Sequence, residues 1–142
     1  MSKELYQEVI IDHNKNPRNF GEFKTEYFAE GFNPICGDHY KVFVNMNDEK
    51  ISEIKFSGIG CAISKSSASI MTTILKDKNK NEALKLFEKF HELVTTDKKS
   101  ADLGKLAVFE GVRDYPSRVK CANLPWYTMR AAINKEQSVT TE

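Results

Sequence analysis

Three cysteines place the strongest constraint on how this chain folds. Cys36 stands in Asn33-Pro34-Ile35-Cys36-Gly37-Asp38, Cys61 in Gly58-Ile59-Gly60-Cys61-Ala62, and Cys121 in Arg118-Val119-Lys120-Cys121-Ala122. Each is read at a junction between a turn and a regular segment, and none falls on an apolar stripe. A lone buried cysteine is most often a small hydrophobe. Three thiols on turns, far apart in sequence, could instead converge on one site, and a metal ion or a sulfur atom is what such a site would hold. The elements between them must then close long loops, which calls for one folded domain.

Length and composition are compatible with that. The chain has 142 residues and is 40% apolar, with nine Phe, five Tyr and one Trp, enough for a single core spanning residues 1–142. Net charge is only +1, so no long-range field draws it toward nucleic acid or membrane, and neither is expected as a partner. No apolar stretch approaches a bilayer span, and Met1-Ser2-Lys3-Glu4-Leu5-Tyr6 lacks the apolar core of a secretory signal. The expectation is a cytoplasmic protein with reduced thiols, which are structural, reactive or metal-bound.

Periodicity supplies the elements. Leu5, Val9 and His13 share a helical stripe that ends at Asn16-Pro17. Residues 27–57 read as an antiparallel meander of three strands, with Tyr40, Val42, Val44 and Met46 on one face and Phe43 on the other. A serine-rich helix follows Cys61, and Asn81 to Val94 is the clearest amphipathic helix. Ala101 to Phe109 suggests a short helix, Val112 to Lys120 an ordered loop, and residues 137–142 a frayed tail. Pro125 suits the first turn of a last helix, which puts Cys121 just ahead of it.

The chemistry of the turns favours thiolates. Cys61 would sit at a helix N-terminus, where free N–H groups and the helix dipole stabilise an anion. Arg118 and Lys120 would do the same for Cys121. Three thiolates and a fourth ligand complete a site for zinc or an iron–sulfur cluster, and Asp38 is the best fourth ligand. A carboxylate among thiolates weakens a soft-metal site and makes it easier to open. The histidines are weaker candidates: His13 extends a stripe, His91 lies on a helix flank, and His39 points away if Asp38 points in.

These motifs resemble a known family. Cys-Gly-Asp at 36–38, Gly-x-Gly-Cys-Ala-x-Ser from Gly58, and Arg-Val-Lys-Cys-Ala from 118 are similar to the IscU-like (NifU N-terminal) iron–sulfur cluster assembly family. The match is closest to its SufU branch, as is Asp12-His13 followed by Pro17-Arg18-Asn19. IscU proteins carry a histidine just before the third cysteine; here it is Lys120. A SufU-type insertion is placed at about 97–113. The resemblance implies an α+β fold, a small three-stranded antiparallel sheet with helices packed on one face. It implies Zn2+ held by Cys36, Asp38, Cys61 and Cys121. It further implies a sulfurtransferase whose Cys36 accepts persulfide sulfur from a SufS-type, pyridoxal-phosphate-dependent cysteine desulfurase, for delivery to downstream iron–sulfur assembly proteins. Arg118 would support the site or the partner. Two other readings stay open: a scaffold building a [2Fe–2S] cluster on the same residues, and an interaction module with an inert structural zinc.

Overall fold

Alternation along the strands decides which side of the sheet is covered. The computed structural model describes residues 3–96 and 103–141. Strands β1 (Tyr27–Asn33), β2 (Asp38–Asn47) and β3 (Lys50–Ile59) form the expected antiparallel meander, with Asn33 opposite Asp38 and Val42 opposite Phe56. Tyr40, Val42, Val44 and Phe56 are wholly buried on one face. Phe43 packs on the other against Phe23 and Phe28, under the segment that precedes β1.

The sheet is larger than the sequence suggests. Residues 137–142 are not a frayed tail in the described part: β4 (Ser138–Thr140) pairs with β1 in parallel, giving a mixed four-stranded sheet in the order β3-β2-β1-β4. Gln137 O accepts from Glu30 N and Thr141 N donates to Phe32 O, so the backbone of β1 finds partners on its outer edge. Three residues carry no readable alternation, and the pairing is supplied entirely by a distant strand.

Helix α1 (Lys3–Lys15) leads into the sheet; α2 (Ala62–Leu75), α3 (Lys80–Thr95) and α4 (Pro116–Ile133) follow it. Asn79 and Glu82 close a capping box at the start of α3. A 3-10 segment, Gly104–Asp114, stands where a short helix and then a loop were expected; residues 101 and 102, and 97–102 of the suggested insertion, lie outside the described residues. Phe90 of α3 meets Phe109 edge-on at 5.7 Å and stacks on Trp126 of α4 at 5.0 Å, which joins these three elements.

The last helix corrects a second expectation. It begins at Pro116, which occupies its first turn, and Pro125 lies inside it. Cys121 is therefore within α4, not ahead of it. Either proline satisfies the first-turn rule, so local sequence cannot choose between them. Burial chooses: Cys121, Ala122, Leu124 and Trp126 are all 0% exposed. Pro125 has no N–H to give the Cys121 carbonyl four residues back.

The serines of α2 find their reason in packing. Ser67 Oγ donates to Ala122 O of α4 at 2.7 Å, and Ser64 Oγ meets Tyr40 Oη at 2.9 Å. Ser69 Oγ accepts from Arg18 N at 2.8 Å and lies 2.7 Å from His13 Nδ1. His13 is 2% exposed and its Nε2 has no partner. Burial, with the Arg18 and Lys105 charges, holds its pKa below the usual value near 6.5. Folding stability from this group is full above pH ~6.5 and is lost as pH falls through its lower folded value. Wild type should lose stability on acidification at up to about 1.4 kcal/mol per pH unit in that window, and His13→Gln should flatten the slope. Urea titrations across the window, with equal slopes for the two proteins, would disprove it.

Candidate metal centre

Two hairpin strands, a helix start and a helix interior bring the cysteine motifs together. Cys36 sits at the tip of the β1–β2 turn, where Gly37 N donates to Asn33 O at 2.9 Å and Gly37 takes φ +74°. That left-handed conformation needs glycine and turns Asp38 inward at the start of β2. Cys61 is the N-cap of α2: its Sγ accepts from Ser64 N at 3.5 Å. Cys121 comes from the buried side of α4. His39 points away, pairing with Glu30 at 2.8 Å and stacking on Phe32.

Cys36 Sγ, an Asp38 carboxylate oxygen and Cys121 Sγ lie within 4.8 Å of one another. Tetrahedral zinc with sulfur at about 2.3 Å and oxygen at about 2.0–2.2 Å spaces its donors roughly 3.3–3.8 Å apart, within reach of small side-chain rotations. Asp38 is 2% exposed; its Oδ1 accepts from Cys61 N at 2.9 Å, and its Oδ2 has no partner. A buried carboxylate oxygen without a donor is a group that a cation would satisfy. Cys61 is outside this group of three, yet its thiol is close enough to that of Cys121 for the ionisation of each to depend on the other. Cys121 is the shared neighbour, meeting Cys61, Asp38 and Cys36. The donor set suits a soft-to-borderline ion such as zinc, and these residues could hold one.

Exposure makes the cysteines unequal. Cys121 is buried, whereas Cys36 and Cys61 are partly open. The Cys61 thiol is lowered, first by the neighbouring Cys121 thiol and then by the Ser64 N–H and hydroxyl, against burial and the Asp38 charge. Cys121 is pushed up by the neighbouring Cys61 and by burial. Ionisation is thus favoured at Cys61 and disfavoured at Cys121. Arg118, exposed at the first turn of α4, faces the Cys61 thiolate and is held protonated chiefly by it.

In the metal-free protein, stability from Cys61 is present above the ordinary thiol range and lost as pH falls through its lower folded value; that from Cys121 has the opposite sign and is lost as pH rises through its raised one. Thiolate absorbance should show one step below the ordinary thiol range, and Cys121→Ala should move that step back up. A wild-type titration without the low step would refute it.

Residues the sequence reading passed over complete the site. Asn33 is 0% exposed; its Nδ2 donates to Cys121 Sγ at 3.7 Å and its Oδ1 has no partner. Its place before Pro34 carries no sign of that role, and only the β1–α4 packing reveals the thiol beside it. Tyr40 and Ser64 form the wall behind Asp38, and Gly60 is the space among them: an added Cβ would stand 2.5 Å from Tyr40 Oη and 2.6 Å from both Asp38 Oδ1 and Ser64 Oγ.

Comparison with known proteins identifies relatives in sequence and in fold. Residues 5–122 match the NifU-like N terminal domain family. The chain is 36% identical over 135 residues to the zinc-dependent sulfurtransferase SufU of Bacillus subtilis, covering 94% of this chain and 92% of that protein. It is 37% identical over 133 residues to the iron–sulfur cluster assembly scaffold protein IscU of Streptococcus pyogenes, covering 92% and 84%. A crystal structure of a candidate SUF-system scaffold from Fervidobacterium islandicum superposes with TM-score 0.84 at 33% identity, covering 94% of this chain and 99% of that one. No helix among the described residues is long and apolar enough to cross a membrane.

Proposed function

The chain belongs to the NifU-like N-terminal domain family, and on that premise we propose that it is a zinc-dependent sulfur carrier for iron–sulfur cluster assembly. In this reading Cys36 takes persulfide sulfur from a SufS-type cysteine desulfurase. The observation that carries it is the inequality within the site: Cys36 is partly open on a turn tip, while Cys121 and Asp38 are buried behind it. The relative of Bacillus subtilis bears the name of a zinc-dependent sulfurtransferase.

Cys36, Asp38, Cys61 and Cys121 would hold the zinc, which when bound keeps its thiol ligands deprotonated at neutral pH. The transfer itself is thiol exchange. The Cys36 thiolate attacks the outer sulfur of the partner's persulfide. A new S–S bond forms at Cys36, the partner's S–S bond breaks, and the partner's cysteine leaves as thiolate. Attack needs access, which the turn tip gives, and Arg118 balances the negative charge left at Cys61 and Cys121. Next to Cys36 and two residues before Cys61 in the chain, Ile35 and Ile59 are 65% and 71% exposed. Apolar side chains this exposed beside reactive thiols suit a docked protein partner.

The test is an anaerobic preparation assayed for zinc and iron, then added to the desulfurase. About one zinc per chain, with stimulation lost in Cys36→Ala, supports the carrier. A coloured, transferable iron–sulfur cluster on the same residues would favour the scaffold, the reading suggested by the name of the Streptococcus relative. Retained zinc with unchanged desulfurase activity in Cys36→Ala would favour an inert structural zinc.

A further inference from the structure

The three sulfurs of the candidate metal centre differ in what donates to them. Cys61 Sγ accepts from Ser64 N at 3.5 Å, and Cys121 Sγ accepts from Asn33 Nδ2 at 3.7 Å. The Arg118 charge also faces Cys61 and Cys121. Among the described residues no N–H donates to Cys36 Sγ, which stands on the partly open turn tip.

Asn33 is fixed where it is by the fold. Pro34 after it favours extended backbone at position 33. Alternation along β1 turns Gly31 and Asn33 toward α4 and Phe32 away. Gly31 lets α4 close on the strand at Leu124 and Thr128, and Cys121 lies one helical turn before Leu124. Asn33 O accepts from Gly37 N at 2.9 Å, and Asn33 stands opposite Asp38 in the strand pair. One residue thus ties the Cys36 turn and Asp38 to the helix that carries Cys121. Its side chain is 0% exposed, and with Oδ1 unpartnered its amide bonds only the sulfur. A reversed amide would offer Oδ1 to a thiol proton; a thiolate, the form that binds a cation, takes only the N–H.

An N–H bond to a thiolate orients the sulfur and draws electron density from it, which makes it a poorer nucleophile. This matters because Cys36 Sγ and Cys121 Sγ lie within 4.8 Å of each other. A sulfur received on Cys36 could move on by a second exchange. The Cys121 thiolate would attack the outer sulfur, an S–S bond would form at Cys121, the one at Cys36 would break, and Cys36 would leave as thiolate. Resting on the carrier reading above, we infer that Asn33 is a positioning residue that holds Cys121 as a ligand and keeps the transferred sulfur on Cys36.

One test needs no variant. The full chain is loaded with NMR-active cadmium in place of zinc, and couplings across N–H···S–Cd bonds are recorded. Cross-peaks are expected from the metal to an Asn33 side-chain amide proton and to the Ser64 N–H. Absence of the Asn33 peak in the loaded chain overturns the inference. Asn33→Leu keeps the volume and removes the donor. Its zinc affinity should fall about 10–100-fold. In the cobalt-substituted variant the sulfur-to-metal charge-transfer band should move to lower energy, which a purely space-filling role would not cause. After incubation with the desulfurase and cysteine, alkylation and mass spectrometry should find persulfide on Cys36 alone in wild type, and on Cys121 as well in the variant. A wild-type band energy, or sulfur confined to Cys36, in the folded variant would overturn the inference. A wild-type chain that shows the Asn33 peak but accepts no sulfur would instead refute the carrier reading and leave the Asn33–Cys121 bond standing.

Discussion

Gly60→Ala is expected to disable the proposed metal centre while leaving the sheet in place. The new methyl would meet three polar oxygens at once, from Tyr40, Asp38 and Ser64, at 2.5–2.6 Å. None can swing aside freely. Tyr40 and Asp38 are on β2, Ser64 is in the first turn of α2, and all three are buried. Tyr40 and Ser64 hydrogen-bond each other, and Asp38 Oδ1 holds the Cys61 N–H. Relief requires the start of α2 to retreat from β2, which breaks the Asp38–Cys61 bond and carries the Cys61 thiol off Cys121. Overpacking of about 1–3 kcal/mol adds to about 1–3 kcal/mol for each buried group left unsatisfied, so a loss of roughly 3–5 kcal/mol is expected. Zinc affinity should fall by about a hundredfold or more, since each 1.4 kcal/mol is tenfold. Thermal denaturation and competitive zinc titration measure the two effects. An alanine variant that binds zinc like wild type would show that the wall behind Asp38 does not hold the site.

Gly31→Ala should strike the fold itself. Its Cβ would fall on Thr128 Oγ1 and stand 3.1 Å from Leu124 Cδ1 and 3.2 Å from Thr128 Cβ. A rotation of Thr128 would move its hydroxyl, at the expense of its 2.7 Å bond to Leu124 O, but would leave the Cβ contact. β1 and α4 must therefore separate, and with them Asn33 and Cys121. A destabilisation of roughly 3 kcal/mol is expected, lowering the melting temperature by about 6–12 °C for a chain of this size. Thr128→Ala alone should cost about 1 kcal/mol, and in the double variant it should return a large part of the loss. Strictly additive effects in that cycle would mean that the two positions do not press on each other.

Both predictions rest on packing that no local pattern announces, and the same division runs through the whole molecule. The meander was legible because alternation in Tyr40, Val42 and Val44 reports a half-covered sheet directly. The amphipathic helix α3 was legible because Phe87, Phe90 and Val94 repeat at helical spacing. Cys36 and Asp38 could be paired from sequence because they flank one glycine on one turn. β4 was not legible: its three residues are held by β1, a hundred residues away in the chain, and not by any preference of their own. The start of α4 was not legible either, since Pro116 and Pro125 are equally good first-turn residues until burial of Cys121 and Ala122 selects the longer helix.

What the residue order alone determined, then, is the strand and helix periodicities and a set of thiols and a carboxylate with metal-binding chemistry. What only the tertiary structure decided is how those groups meet. It puts Cys121 on a buried helix face beside Cys61, leaves Cys36 at an open tip, and aims a partnerless Asp38 oxygen between them. The reason is physical: side-chain chemistry and local periodicity are properties of neighbouring residues, whereas exposure, hydrogen-bond partners and ionisation depend on contacts that only the closed chain makes.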